Sequence, residues 1–243
     1  MLEKHTIFDD DSTGAKVSVE HRVTDLKEAV RDKNRVNIYV DDKFFCSLDI
    51  SQVVDFHLKI GRSLTDEELG DLKYASEFSK FYARGLEYVL MRPRSEREIS
   101  DYLRGKTYDR KVRVKNRKTG EYQTKEKLGY DASLVPLVMK RLEERGYIND
   151  RHFAEIWVEN RHVAKGTSIK KLRLELQQKG ISSQIVDEVL SGSGRDERAD
   201  LRKIIERKRA RYDDEQKLIQ YLLRQGFNYS DIVDELAVDS SSV

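Results

Sequence analysis

Ser168-Ile-Lys-Lys-Leu-Arg-Leu-Glu-Leu-Gln-Gln-Lys-Gly-Ile-Ser-Ser-Gln-Ile-Val-Asp-Glu188 is the stretch that decides the fold. Ser168 is a capping residue, since its hydroxyl can accept from amides that the first helical turn leaves unpaired. Leu172 and Leu176 follow at four and eight positions, which puts both on one helix face. Gly180 can take the left-handed conformation that closes a helix, and a further helix follows it.

The arrangement recurs on both sides. Ser95, Ser168 and Asp214 are capping-type residues, followed at the same spacing by Ile99/Leu103, Leu172/Leu176 and Leu218/Leu222. Before each cap lies a helix with an apolar i, i+3, i+4 triplet: Leu86/Val89/Leu90, Phe153/Ile156/Trp157 and Leu201/Ile204/Ile205. The turns Lys179-Gly-Ile181 and Gln225-Gly-Phe227 match, and so do the tetrapeptides Ile185-Val-Asp-Glu188 and Ile232-Val-Asp-Glu235. Three tandem three-helix repeats are expected, stacked because none buries its apolar face well alone.

Two segments depart from helical spacing. Near the start, Val17, Val19 and Val23 are β-branched, and Arg35-Val-Asn-Ile-Tyr-Val40 alternates as a half-buried strand does. Asp41-Asp42 supplies a turn, and Lys43-Phe-Phe-Cys-Ser47 returns as a second strand. Val53 to Ile60 reads as a short helix ended by Gly61. Thr65-Asp-Glu-Glu68 is a capping box that starts a helix at about Asp66. The other departure is an insert, about residues 107–129. There Lys111-Val-Arg-Val-Lys115 and Glu121-Tyr-Gln-Thr-Lys125 alternate around Asn116-Arg-Lys-Thr-Gly120, predicting a projecting β-hairpin with too few apolar residues for a buried sheet.

The expected fold is therefore mainly α: three tandem three-helix repeats in an elongated curved stack, preceded by a small α+β module and carrying an inserted β-hairpin. The predicted divisions are 1–77 for the module, then 78–147, 148–192 and 193–243 for the repeats.

Composition narrows the function. The chain has 243 residues, a single cysteine and a net charge of +2. The lone Cys46 fits a reducing cytosol, and the N-terminus lacks the apolar core of a signal peptide, so a soluble cytoplasmic protein is expected. The charge is unevenly placed. Residues 91–128 hold 13 Lys and Arg against 6 Asp and Glu, so the whole positive excess lies in that segment. Arg94, Arg97, Arg104, Arg110, Lys111, Arg113, Lys115, Arg117 and Lys118 form its core, interleaved with Tyr102, Tyr108 and Tyr122. Such a run is a footprint for phosphates or acidic protein surfaces, with a solvated arm as the bland alternative. A weaker basic cluster is Arg161, His162, Lys165, Lys170, Lys171 and Arg173, which also reads as an ordinary solvated helix face.

A catalytic centre is not legible. Gly105-Lys106-Thr107 resembles the tail of a phosphate-binding loop, but Ser100 stands where that motif needs glycine. The five histidines are scattered and the one cysteine has no partner, so metal-ligand spacing is absent. Acidic clusters such as Asp9-Asp10-Asp11 and Asp213-Asp214 read as solvated or helix-starting charges. No catalytic residue, cofactor or metal is expected.

Four stretches together resemble the RecX family. Arg94-Ser-Glu-Arg-Glu-Ile-Ser-Asp-Tyr-Leu103 looks like the family's first-repeat motif, and Arg145-Gly-Tyr-Ile-Asn-Asp-Arg-His-Phe-Ala154 like its "GYLDDxRFA" signature. Lys165-Gly-Thr-Ser-Ile169 with Leu174-Glu-Leu-Gln-Gln-Lys-Gly-Ile181 is similar to a third, and Arg35-Val-Asn-Ile-Tyr-Val-Asp-Asp-Lys-Phe-Phe45 to the module that precedes the repeats in some members. The resemblance implies a non-catalytic regulator that binds RecA, usually as the filament on single-stranded DNA. It would lie in the filament groove and inhibit strand exchange and ATP hydrolysis, a role in DNA repair, homologous recombination and the SOS response. Some members also contact DNA, so DNA is a second candidate partner. A monomer is expected. Asn149 departs from the signature, and the basic insert is outside the usual repeat.

Overall fold

The computed structural model describes residues 20–240, except 31, 117, 118, 166 and 213. They form two compact units, one up to Lys80 and one from Phe81 onward. Val17 and Val19 lie outside the described residues.

The first unit is an antiparallel sheet in the order β3-β2-β1-β4, made of β1 (His21–Ala29), β2 (Asp32–Val40), β3 (Lys43–Asp49) and β4 (Ser63–Leu64). Asp41 and Asp42 both take positive φ, 49° and 63°, the backbone of a two-residue hairpin turn, and Val40 pairs with Lys43 across it. Alternation then carries Ile38 and Val40 inward, where they meet Val23, Cys46, Leu48, Leu64 and Leu72.

The short helix lies earlier than the apolar run suggests. α1 spans Ile50–Asp55, because Asp49 and Gln52 form a reciprocal capping box at its start. His57, at φ 50°, ends it, and Gly61 belongs to the following turn, its N–H donating to Val23 O. The Thr65–Glu68 box does start α2 (Asp66–Met91): the Thr65 N–H donates to Glu68, and the Glu68 N–H to the Thr65 hydroxyl. His21 sits between Asp41 and Asp66, whose carboxylates raise its pKa against the effect of burial, with Asp41 the larger influence.

The second unit takes the end of α2 and then α3 (Glu96–Arg104), the hairpin strands β5 (Arg110–Lys115) and β6 (Tyr122–Lys127), α4 (Leu134–Glu144), α5 (Asp150–Lys165), α6 (Ile169–Gln178), α7 (Ser183–Gly192), α8 (Glu197–Arg209), α9 (Glu215–Arg224) and α10 (Tyr229–Ser240). Ile99/Leu103, Leu172/Leu176 and Leu218/Leu222 are all buried, and the side chains of Ser95, Ser168 and Asp214 all cap. α5 to α7 share one core and α8 to α10 another. The triplet reading fails on α2. Leu90 is exposed, and the helix buries Phe81 and Gly85 instead. A Cβ at Gly85 would stand 3.1 Å from Leu142 and 3.4 Å from Val138, so the close approach of α4 sets the buried face.

The helices are joined by a contact made twice. The α3 N-terminus docks on the turn after α6: the Ser95 hydroxyl donates to Lys179 O at 2.8 Å, over Gly180 at φ 85°. The α6 N-terminus docks on the turn after α9: the Ser168 N–H donates to Gln225 O at 3.2 Å, over Gly226 at φ 90°. In each case an acid at the start of the next helix but one adds a cap. Asp150 accepts from the Glu96 N–H at 2.7 Å, and Glu197 from the Ile169 N–H at 2.9 Å. Orphan amides of one helix are thus satisfied by the following trio.

Candidate partner and nucleic-acid interface

The basic hairpin forms. β5 and β6 pair antiparallel, with Arg110 opposite Lys127, Val112 opposite Lys125 and Lys115 opposite Tyr122. All residues of both strands are exposed except Val112, which is partly buried. Because side chains alternate, Arg110, Lys125 and Lys127 share one face, while Lys111, Arg113 and Lys115 share the other. Arg113 lies over the Tyr122 ring at 5.2 Å. Lys125 and Lys127, outside the basic run, add exposed cations to the hairpin. Their signal was the alternation across the turn, readable once the register is known. Arg117 and Lys118 lie outside the described residues.

The hairpin is rooted in a narrow neck. The Tyr130 N–H donates to Lys106 O at 3.1 Å, the Gly129 N–H to Asp109 Oδ1 at 2.8 Å, and Tyr130 stacks on Phe81 at 4.5 Å. Beside it stands a four-layer stack that the sequence did not announce. Arg94 lies 3.9 Å over Tyr88, Tyr88 stacks on Tyr102 at 3.9 Å, and Lys106 lies 4.7 Å over Tyr102. Cations held on ring faces keep their charge with little freedom to lose. Burial, then the charges of Arg110, Lys127 and Arg84, pull the Lys106 pKa below its ordinary value. That mutual repulsion marks a positive field an anion would relieve. Arg104, exposed, ends α3. Arg97 is largely exposed, but its stem covers Gly180.

The second basic cluster divides. Arg161 is engaged: it lies 4.5 Å over Trp157 and 3.4 Å from Glu175, which also accepts from the Trp157 indole N–H. Lys171 donates to Arg224 O and to the Gln225 side chain, so it holds the turn after α9. Arg173 pairs with Asp187. Lys170 is exposed. The side chains of His162 and Lys165 lie outside the described residues.

Glu98 ties the ends of this surface together. Burial pushes its carboxyl up, but hydrogen bonds from Arg92 and Lys179 outweigh that and bring the pKa down to about 2 from 4.5. A carboxyl lowered by folding stabilises the fold above its unfolded pKa and loses that contribution as pH falls. About 1.4 kcal/mol per pH unit would give roughly 3 kcal/mol, and about 2 after discounting for the half-exposed Arg92. Glu98→Gln is therefore expected to cost about 2 kcal/mol at neutral pH and to flatten the stability profile between pH 4.5 and 2. Urea unfolding across that range checks it, and an unaltered acid limb would contradict it.

The described residues include one cysteine, Cys46, and it is buried. No group of three or more His, Cys, Asp or Glu comes together as metal ligands among them. Burial pushes the Cys46 thiol up to about 11, far from a reactive thiolate. No helix among the described residues is long and apolar enough to cross a membrane.

Two family models match the chain in order: the regulatory protein RecX N-terminal domain at residues 21–65, and the RecX second three-helix domain at residues 149–190. The first covers the sheet unit, and the second covers α5 to α7 almost end to end. Both units of the chain are similar to the RecX family. The regulatory protein RecX of Bacillus licheniformis is 25% identical over 214 residues, covering 85% of this chain and 73% of the relative. That of Clostridium tetani is 27% identical over 221 residues, covering 87% of this chain and 91% of the relative. A crystal structure of a regulatory protein RecX superposes with a TM-score of 0.65 at 22% identity, over 88% of this chain and 99% of the other, a likeness of fold. That likeness agrees with the mainly helical architecture and small N-terminal sheet of this chain.

Proposed function

We propose that this chain is a RecX family member, a non-enzymatic cytoplasmic regulator that binds RecA, chiefly as the filament on single-stranded DNA, and restrains its recombinase and ATPase activity in repair and recombination. The observation that carries the reading is the ordered match of both RecX models. The twice-made contact between α3/α6 and α6/α9 supports it, since it is what tandem repeats sharing one docking rule would produce. We read the chain as a 1–77 module and repeats at 78–147, 148–192 and 193–243. A curved stack of such units offers a long surface suited to a filament groove. The protein acts as a monomer in this reading.

The test is co-sedimentation with cognate RecA filaments, with DNA-dependent ATP hydrolysis measured in parallel. Binding and a lowered ATPase rate at micromolar protein are expected. No binding and no effect would sink the reading. The exposed hairpin favours a second reading, a nucleic-acid-binding protein that needs no RecA. It predicts DNA affinity that falls steeply with salt when RecA is absent.

A further inference from the structure

The docking contact between helices leaves a groove each time, and the two grooves differ in chemistry. The first, about 500 Å³, lies at the α3 N-terminus over Gly180 and is lined by Glu96, Arg97, Ser100, Asp101, Arg104 and Asp150. The second, about 660 Å³, lies at the α6 N-terminus over Gly226. The caps and glycines give the correspondence. Asp101 stands six residues after Ser95, and Leu174 six after Ser168. Gln177 stands three before Gly180, and Leu223 three before Gly226. Ser183 and Tyr229 follow those glycines by three. At the three equivalent positions one step earlier the residues are polar, Asp101, Gln177 and Ser183, of which Asp101 lines the first groove; Leu174, Leu223 and Tyr229 all line the second, which Gln177 also borders.

Those three side chains lie at the surface. They are 54%, 42% and 61% exposed, and the same helix contact is made one step earlier with polar residues in their places. The cores beneath are built by Leu172, Leu176, Leu218 and Leu222, which are buried. The electrostatics also change. Glu96, Asp101 and Asp150 line the first groove, whereas the second has no carboxylate in its lining and carries Lys170, Lys171, Arg173 and Arg224. Lys171 and Arg173 have partners on the protein, while Lys170 and Arg224 stand at the rim. Exposed apolar groups clustered inside a cationic rim are the pattern of an interaction site, not of a solvated face.

We infer that the α6–α9 groove is a docking site for a segment of a protein partner that carries a bulky apolar side chain flanked by carboxylates. The apolar floor of Leu174, Leu223 and Tyr229 takes the side chain, and Lys170 and Arg224 take the carboxylates. A phosphate backbone would gain from the cations but nothing from two leucines, so the chemistry favours a protein segment over nucleic acid. The inference rests on the RecA-binding reading for the identity of the partner, which would place that segment on the filament.

The experiment uses the full chain with three substitutions, Leu174→Asp, Leu223→Gln and Tyr229→Ser, which introduce the polar residues of the equivalent positions one step earlier, Asp101, Gln177 and Ser183. A second protein carries Lys170→Gln and Arg224→Gln. Each is tested against cognate RecA filaments and, separately, single-stranded DNA alone, with folding followed through the fluorescence of Trp157. The triple variant is expected to bind the filament at least tenfold more weakly with unchanged affinity for DNA. The double variant should weaken filament binding several-fold, and it decides the matter should the triple variant unfold. Wild-type affinity for the filament in both variants would overturn the groove assignment and leave the RecA reading standing. An equal loss for DNA alone would make the groove a nucleic-acid surface and overturn the protein segment. Failure of the unaltered protein to bind the filament would overturn the RecA reading and the assignment with it.

Discussion

Gly180→Val is expected to destabilise the helical unit by about 3 kcal/mol. Two costs combine. Gly180 sits at φ 85°, where an L side chain is strained by roughly 1–2 kcal/mol and a β-branched one by more. A Cβ there would also stand 2.7 Å from Arg97 Cβ and Cδ. The flexible end of Arg97 can swing away, but its Cβ is fixed to α3, so the helix must lift from the turn. That overpacking adds roughly 1–3 kcal/mol. Lifting α3 also loosens the Ser95 hydrogen bond to Lys179 O and the Glu98 pair with Lys179. Gly146 provides the control: φ is 74°, yet a Cβ there would meet nothing within 4 Å. Gly146→Val should show only the backbone cost, about 2 kcal/mol. Trp157, the sole tryptophan, lies 5.3 Å from Lys179 Nζ and reports the transition of this unit in urea. Equal losses at both glycines would show that the docking contact contributes nothing.

Local chemistry is what the sequence displayed well. Ser95, Ser168 and Asp214 cap because a short polar side chain beside free amides has one good arrangement, whatever surrounds it. The glycine turns and the hairpin register follow from similarly short-range rules. Choices that depend on distant neighbours were hidden. Leu86, Val89 and Leu90 form an apolar triplet, but α2 turns Phe81 and Gly85 inward because α4 approaches there. A glycine has no side chain to mark a buried stripe. α1 was displaced because the Gln52 side chain, inconspicuous in sequence, closes a capping box with Asp49. In the basic clusters, charge alone could not separate exposed cations from engaged ones. Arg161 and Lys171 look like Lys170 in sequence, yet one covers Trp157 and the other holds the carbonyl of Arg224. The apolar groove was least legible, since its meaning lies in comparing equivalent surfaces after folding.

Replacing Tyr108–Leu128 with a short Gly/Ser link should leave the helices folded and weaken binding to single-stranded DNA by tenfold or more at low salt. The neck explains why folding survives. The chain enters and leaves the hairpin in contact: the Tyr130 N–H donates to Lys106 O, and a Cβ at Gly129 would collide with the Thr107 carbonyl. Joining ends that already touch adds little closure entropy. The Phe81–Tyr130 stack and the Arg94–Tyr88–Tyr102–Lys106 layers all remain. The exposed strands contribute little to the core, so a change within about 0.5 kcal/mol is expected. The charge lost is large by comparison. The segment carries eight Lys and Arg: Arg110, Lys111, Arg113, Lys115, Arg117, Lys118, Lys125 and Lys127. If about half of them meet phosphates, roughly four contacts at about 0.7 each lower the salt slope by about 3. Salt dependence is the sharper readout, because a solvated arm that contacts nothing would leave it unchanged. Unchanged affinity and slope would therefore reduce the hairpin to a solvated appendage. A loss for DNA alone, with filament binding retained, would assign the hairpin to nucleic acid and leave the protein contact to the helices.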